Sequence, residues 1–261
     1  MEINLCGKKA LIGASSAGIG AGIARVLASC GASVTLASRN EEKLQTTCKN
    51  LDTSKGQVHQ YIVVDYNDHE GYKQQIDHYF RINKVDILVN NSNGPRAGTI
   101  DQQNLTDYQH AFELLFQNHC YTTSCALPHM LANQYGRIIN VSSSTVKEPV
   151  SNLVLSNTIR TALMSWSKSL ADDVAKDGVT VNGILTGLFD TDRIQSLTKM
   201  DAQRLGISYE EALALRLKQV PAGRLGTPEE YGYLVAFICS DYANFLTGAH
   251  IPLDGGMLKG L

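Results

Sequence analysis

The stretch Lys8-Lys9-Ala10-Leu11-Ile12-Gly13-Ala14-Ser15-Ser16-Ala17-Gly18-Ile19-Gly20, with Ala32-Ser33-Val34-Thr35-Leu36-Ala37-Ser38-Arg39 after an intervening helical run, decides how this chain folds. A short apolar run, Ala10 to Ile12, meets a turn of small residues, and the apolar period then changes from strand-like to helix-like. Ile19, Ile23, Ala24, Val26 and Leu27 recur at helical spacing, and Gly31 follows where a helix C-terminus favours glycine. The run Val34 to Leu36 completes a strand–helix–strand unit. Such a unit aims the free N–H groups of a helix start at a diphosphate. Gly18 and Gly20 keep side chains out of the way, and the helix dipole favours the negative charge. Glycine in a turn is commonplace; its place between a strand and a helix gives it meaning.

The 261 residues suit one α/β domain over the whole chain, 1–261. A formal net charge of −2, from 23 basic and 25 acidic residues, offers no basic field for nucleic acid. No apolar run reaches membrane-spanning length, and Met1-Glu2-Ile3-Asn4 lacks the build of a signal peptide, so a cytoplasmic protein without a membrane partner is expected. Cys6, Cys30, Cys48, Cys120, Cys125 and Cys239 form no CxxC pair and no metal spacing. They read as reduced, packed small residues, and no metal site is expected.

Beyond Arg39 strands and helices alternate. The pattern predicts helices over Glu41–Leu51, Asp68–Arg81, about Thr106–Ala132 and Leu153–Ala175, and from Pro228. Strands are predicted around Val58–Val64, Val85–Val89, Arg137–Val141, Val179–Leu185 and Gly248–Leu253. Strand runs apolar enough to be buried on both faces predict a doubly wound parallel sheet, a three-layer Rossmann arrangement. Asp190 to Gly223 is the irregular segment, with a helical piece over Ser208–Gln219 opened by Ser208 and Glu211 at capping-box spacing. A connection of this length is usually a lid or an interface element.

Taken together, these motifs resemble the short-chain dehydrogenase/reductase family, whose turn reads Thr-Gly-x-x-x-Gly-x-Gly; here Gly13-Ala14 stand at the Thr-Gly position. Asp65 matches the family's acidic residue beside the adenine, and Asn90-Asn91 its Asn-Asn-Ala-Gly turn, with Ser92 in place of Ala. Gly223-Arg224-Leu225-Gly226-Thr227-Pro228-Glu229-Glu230 and Asp254-Gly255-Gly256 are similar to its C-terminal signatures. The 3-oxoacyl carrier-protein reductases look closest in overall pattern. The resemblance implies a pyridine nucleotide as cofactor and a substrate lid at about 190–223. It also implies a homodimer or homotetramer paired through the two long helices.

The cofactor type is read at the end of the second strand, where NAD enzymes place a carboxylate and NADP enzymes a basic residue. Ala37-Ser38-Arg39-Asn40 has no carboxylate before Glu41, so NADP is favoured and NAD stays open; the alternative is that Arg39 merely sits in solvent. The expected contacts are Gly13, Ser15, Ser16, Gly18 and Ile19 in the turn, Ser38 and Arg39 beyond it, and Asp65, Asn91 and Arg160.

At the chemistry the chain departs from the family pattern of Ser, Tyr-x-x-x-Lys and a helix Asn. The strand ending in Ser142-Ser143 gives Ser143 the family's serine role. Thirteen residues on stands Ser156 in place of Tyr, and four further Arg160 in place of Lys; Leu115 stands at the Asn position. Arg160 still reaches ribose hydroxyls and keeps its charge. Ser156 is a far weaker acid than a phenol, and a catalytic serine usually needs a base beside it. His119, one turn after Leu115, and Lys147 and Glu148, in the loop after Ser143, are substitute candidates. Tyr121, Tyr135 and Tyr209 cannot be placed from sequence. The leading expectation is an NADP-dependent oxidoreductase acting on a small carbonyl or secondary alcohol, with Ser143, Ser156 and Arg160 as catalytic residues. A non-catalytic nucleotide-binding protein and a non-redox lyase or isomerase are the rivals.

Overall fold

The computed structural model describes residues 2–260. In chain order its elements are β1 (Lys9–Gly13), α1 (Gly18–Ser29), β2 (Ser33–Ser38), α2 (Glu41–Lys49), β3 (Gln60–Val63), α3 (His69–Ile82) and β4 (Ile87–Asn90). Then come α4 (Leu105–Phe112), α5 (Asn118–Ala132), β5 (Gly136–Val141), α6 (Val154–Val174) and β6 (Val179–Thr186). Last are α7 (Asp192–Leu205), α8 (Tyr209–Leu217), α9 (Pro228–Cys239) and β7 (His250–Leu253). The strands form one sheet in the order β3-β2-β1-β4-β5-β6-β7, with every neighbouring pair parallel. Chain direction from β1 reverses between β1 and β4, so the crevice beyond their C-terminal ends is where ligands bind in this architecture.

Alternate residues of each strand feed two separate apolar cores. Ile12, Leu36, Val89 and Ile139 pack under α1 and α9 on one face; Leu11, Leu88, Ile138 and Val181 pack under α3, α5 and α6 on the other. Helices α1 and α9 approach with almost no side chain between them: a Cβ on Gly22 would lie 2.3 Å from Pro228 O, and one on Gly232 2.7 Å from Val26 Cγ2. That contact seats the start of α1 against the sheet. Deeper in, Asn90 donates to Thr123 Oγ1 at 3.0 Å and to Asn140 Oδ1 at 2.8 Å, and Asn140 donates to Ser167 Oγ at 2.7 Å. This buried ladder ties β4, α5, β5 and α6 at one level, and every polar group in it has a partner to lose if the strands slip.

Two features differ from the reading of the sequence. The expected helix over Thr106–Ala132 is interrupted: α4 and α5 are joined by a π-helical turn, Glu113–Gln117, which holds Leu115 fully buried. Hydrophobic periodicity is blind to one extra residue in a turn, and such bulges gather near functional sites. The segment after β6 contains a second helix, α7. Its signals were present in the sequence: Thr191 accepts from Ile194 N as N-cap, and Gly206, at φ 67°, ends it. The Ser208–Glu211 capping box opens α8 as expected.

Candidate active site

The turn after β1 is built for backbone to face a ligand. Gly18 has φ +54° and Ala14 φ +44°, so the left-handed position expected of a leading glycine is taken by Ala14. Gly13 is confined for another reason: a Cβ there would stand 2.1 Å from Asn91 O and 2.6 Å from Tyr66 Oη. Gly20 is equally confined, 2.5 Å from Ala14 O. Helix α1 opens at Ala17 with no side-chain cap and no carboxylate in its first turn, which leaves its N–H groups and positive dipole end to an anion. Asn91 braces the turn from β4, donating Nδ2 to Gly13 O at 3.0 Å. Ser15 is fully buried and serves the turn itself: its hydroxyl donates to Ile12 O at 2.7 Å and accepts from Ala37 N at 3.0 Å.

The turn and the end of β2 meet through two hydroxyls. Ser16 and Ser38 hydroxyls are 2.9 Å apart, and Arg39 reaches out beside them, 3.8 Å from Asp65 in a solvent-exposed ion pair. Two hydroxyls and a guanidinium with no carboxylate on β2 itself suit a 2′-phosphate. Among the described residues no cluster of side chains could hold a metal ion.

A cleft of about 640 Å³ continues from this turn between the ends of β4, β5 and β6 and the segment carrying α7 and α8. Ile19, Asn91, Ser143, Ser156 and Arg160 all line it, as do Thr191 and Arg193 from α7 and its cap. Thr145 donates to Ser143 Oγ twice, from its backbone N at 3.2 Å and its hydroxyl at 3.0 Å, so the Ser143 proton is left for a ligand. Arg160 lies one helical turn beyond Ser156 on α6, is 8 % exposed, and donates Nη1 to Val141 O at 2.7 Å. Burial first, and then Arg193, pull its pKa down, yet a guanidinium stays protonated at any working pH. Among the described residues no tyrosine, histidine or lysine lines the cleft.

Of the substitute candidates, Glu148 alone lines the cleft. His119 does not reach the cleft; it is 1 % exposed, neither ring nitrogen has a hydrogen-bond partner among the described residues, and burial, aided by Arg160, holds its pKa down at about 3. Helical spacing puts it one turn beyond Leu115, and both residues are buried in the core. Lys147 is exposed, and Glu148 accepts from Lys259 N at 2.6 Å and Gly260 N at 3.2 Å, tethering the C-terminal tail. Tyr121 donates to Asp77 at 2.5 Å and Tyr135 to Cys239 O at 3.2 Å; neither they nor Tyr209 line the cleft. What the sequence reading missed is Arg193, whose helix went unrecognised.

Residues 13–258 match a family model described as enoyl-(acyl carrier protein) reductase. The 3-oxoacyl-(acyl-carrier-protein) reductase FabG of Escherichia coli is 33 % identical over 257 residues, covering 98 % of this chain and 99 % of its own. The chain belongs to the short-chain dehydrogenase/reductase family. Another member, the NADPH-dependent reductase BacG of Bacillus subtilis, is 28 % identical over 97 % of this chain and 99 % of its own length. Among solved structures, L-sorbose reductase from Gluconobacter frateurii, complexed with NADPH and L-sorbose, superposes with a TM-score of 0.93 at 31 % identity over the full length of both chains.

Proposed function

We propose that this protein is an NADP-dependent oxidoreductase that interconverts a small carbonyl compound and its alcohol, with the α7–α8 segment as lid over the substrate. The observation that carries the reading is the convergence of Ser143, Ser156 and Arg160 in one cleft that opens from the α1 turn. The glycine cradle, the uncapped start of α1 and the Ser16–Ser38 pair fit the diphosphate and 2′-phosphate of NADP(H). Gly13, Ser15, Ser16, Gly18 and Ile19 form the diphosphate turn, Ser38 and Arg39 take the 2′-phosphate, Asp65 lies by the adenine, and Asn91 and Arg160 hold the nicotinamide end. When bound, NADPH supplies a hydride. Ser143 and Ser156 donate hydrogen bonds to the substrate oxygen, and Arg160 stabilises the negative charge that grows there, a preorganised electrostatic site in place of a phenolic acid. The final proton comes from solvent along the cleft. We further assign a homodimer or homotetramer and a cytoplasmic setting. Family pairing through α4–α5 and α6, and the exposure of Leu105 at the head of α4, support the first; six free cysteines support the second.

NADPH oxidation across a panel of carbonyl compounds tests the proposal, with Ser156→Ala and Arg160→Ala alongside. Turnover that falls in both variants is the expected result; turnover untouched by either removes these residues from the site. The cleft's lack of a tyrosine, histidine or lysine favours one competitor, a nucleotide-binding protein without chemistry. Tight NADPH binding without turnover of any carbonyl would establish it.

A further inference from the structure

The charges along the cleft do not balance. Of the carboxylates in its wall, Glu148 is occupied by the backbone N–H groups of the tail, and Asp201 is shared by Arg216 at 2.6 Å and Arg204 at 3.0 Å. Arg160 has its one hydrogen bond to Val141 O, and Arg193 has neither a hydrogen bond nor an ion pair among the described residues. The two cations are near enough for Arg193 to disfavour the charged form of Arg160. Arg160 is buried and Arg193 exposed, both line the same cavity, and neither has a carboxylate partner among the described residues, so an anion lying between them is attracted to both.

Arg193 is placed away from the adenosine end of the cleft. It follows Thr191, whose Cγ2 would be 3.2 Å from a Cβ on Gly18, and its guanidinium lies over Gly94, where a Cβ would meet Nη2 at 2.9 Å. Gly94 belongs to the loop after β4, whereas Ser38 ends β2 and Arg39 follows it, with β1 between the two strands. Two strand spacings, about 10 Å, separate the two cationic positions across the sheet. Ile194 and Leu197 of the same helix, with Leu153 and Leu258, give the cleft apolar wall as well. An apolar wall ending in an unpaired guanidinium matches a molecule with a hydrocarbon body and a charged end.

We propose that Arg193 is the specificity residue of this cleft and selects a carbonyl substrate bearing an oxyanion, a carboxylate or a phosphate ester, on an apolar body. The proposal rests on the oxidoreductase reading for calling the ligand a substrate. The anion site itself is independent of turnover. Arg193 binds the ground state and the transition state alike, since it holds a part of the molecule that does not react, so it sets KM rather than kcat.

The test is calorimetric titration of the NADPH-loaded protein with hexanoate, hexyl phosphate and the uncharged hexanamide. Either anion is expected to bind at least tenfold tighter than the amide. Arg193→Gln is expected to erase that difference while amide binding and NADPH affinity stay within twofold, and Arg193→Lys to restore part of it. The stronger of the two anions identifies the charged group. Binding that is equal for, or absent with, all three probes overturns the proposal. So does an Arg193→Gln variant that loses NADPH affinity instead, which would make Arg193 a cofactor clamp. If the carbonyl panel shows no turnover while anion binding still depends on Arg193, the oxidoreductase reading fails and the anion site stands. If carbonyls turn over and acids show no advantage over their amides, the reverse holds.

Discussion

At the β1–α1 turn the ligand-facing geometry is enforced by backbone, whereas at the head of α6 it is set by side chains that can be exchanged one at a time. A Cβ on Gly13, Gly20 or Gly22 would run into carbonyl oxygen at 2.1 to 2.5 Å, so nothing but glycine fits without moving a neighbouring element. Ser156 and Arg160 line the open cleft, and the buried Arg160 is held there by one hydrogen bond, to Val141 O, so no backbone contact forbids another side chain at either position. Cofactor binding is thus built into the scaffold, and the reacting group is mounted on it. A chain of this family can change its chemistry at α6 while the nucleotide turn stays as it is.

The comparison is put at risk most strongly at Arg160. If it stabilises developing negative charge in a water-poor corner, Arg160→Met lowers kcat/KM by about 10²–10³-fold, the cost of one such donor, and Arg160→Lys recovers part of the loss. Ser156→Ala removes one neutral hydrogen bond and costs about tenfold. Steady-state kinetics on any accepted carbonyl decides between them. A larger loss for Ser156→Ala than for Arg160→Met would mean that the hydroxyl, and not the cation, carries the chemistry.

On the scaffold side the matching change is Gly13→Ala. With Asn91 O and Tyr66 Oη in the way, both held in buried contacts, overpacking costs up to about 3 kcal/mol, read as a lower urea midpoint at unchanged slope. NADPH affinity falls with it, because β4 must shift against β1. A variant as stable as the wild type would show that the turn is softer than its contacts imply.

His119 separates packing from catalysis by pH. Its pKa is held at about 3 by burial, and an unfolded chain would protonate it near 6.5. Above pH 6.5 both states are neutral there and the residue is silent. As pH falls from 6.5 towards 3 the unfolded state binds a proton that the folded state refuses, so stability drops by about 1.4 kcal/mol per pH unit from this group. The difference between wild type and His119→Leu in urea unfolding at pH 6.5, 5.5 and 4.5 isolates it from the carboxylates. Equal slopes for the two proteins would place His119 in contact with solvent.

These contrasts also mark what could be read before folding. The β1–α1–β2 unit and the parallel sheet were legible because they depend on local pattern: glycine where a turn needs room, apolar runs of strand length, small residues at a helix start. The approach of Ser143, Ser156 and Arg160 followed from spacing along β5 and α6 combined with a family resemblance. Three things were not legible. The π turn at Glu113–Gln117 inserts no unusual residue, and the helix that follows it carries His119 buried. Arg193 sits on α7, whose ends are marked by Thr191 and Gly206 but whose buried face is only Thr198 and Ala202, no run of large apolar residues. The pairing of Asp201 with Arg216 joins two helices across a turn and has no signature in either.

Arg39 probes the edge of the nucleotide site, where exchangeable side chains return. It is mostly exposed, and its ion pair with Asp65 is long, so solvent screens both. Arg39→Ala therefore weakens NADPH by only about tenfold, and NADH by less than twofold. Tryptophan-to-nicotinamide energy transfer or calorimetry measures both. Equal weakening of the two coenzymes would show that Arg39 stacks on the adenine and does not read the 2′-phosphate.

The smallest effect belongs to Ala14, one residue beyond the glycine that cannot be changed. At φ +44° its Cβ crowds the following carbonyl, a conformation that costs an L-residue about 1–2 kcal/mol. Ala14→Gly removes that strain and adds unfolded-state freedom worth about 0.4–1 kcal/mol the other way. The variant should gain between zero and about 1 kcal/mol in urea unfolding, with NADPH affinity unchanged, because the backbone that faces the phosphate does not move. A loss of stability would mean that the turn holds Ala14 without strain. Its left-handed geometry would then be imposed by the Asn91–Gly13 brace and the Ser15 hydrogen bonds to Ile12 and Ala37 rather than tolerated at a cost. In either case the adjacent positions answer oppositely to the exchange of one methyl group: Gly13 is limited by what stands in front of it, Ala14 by its own backbone.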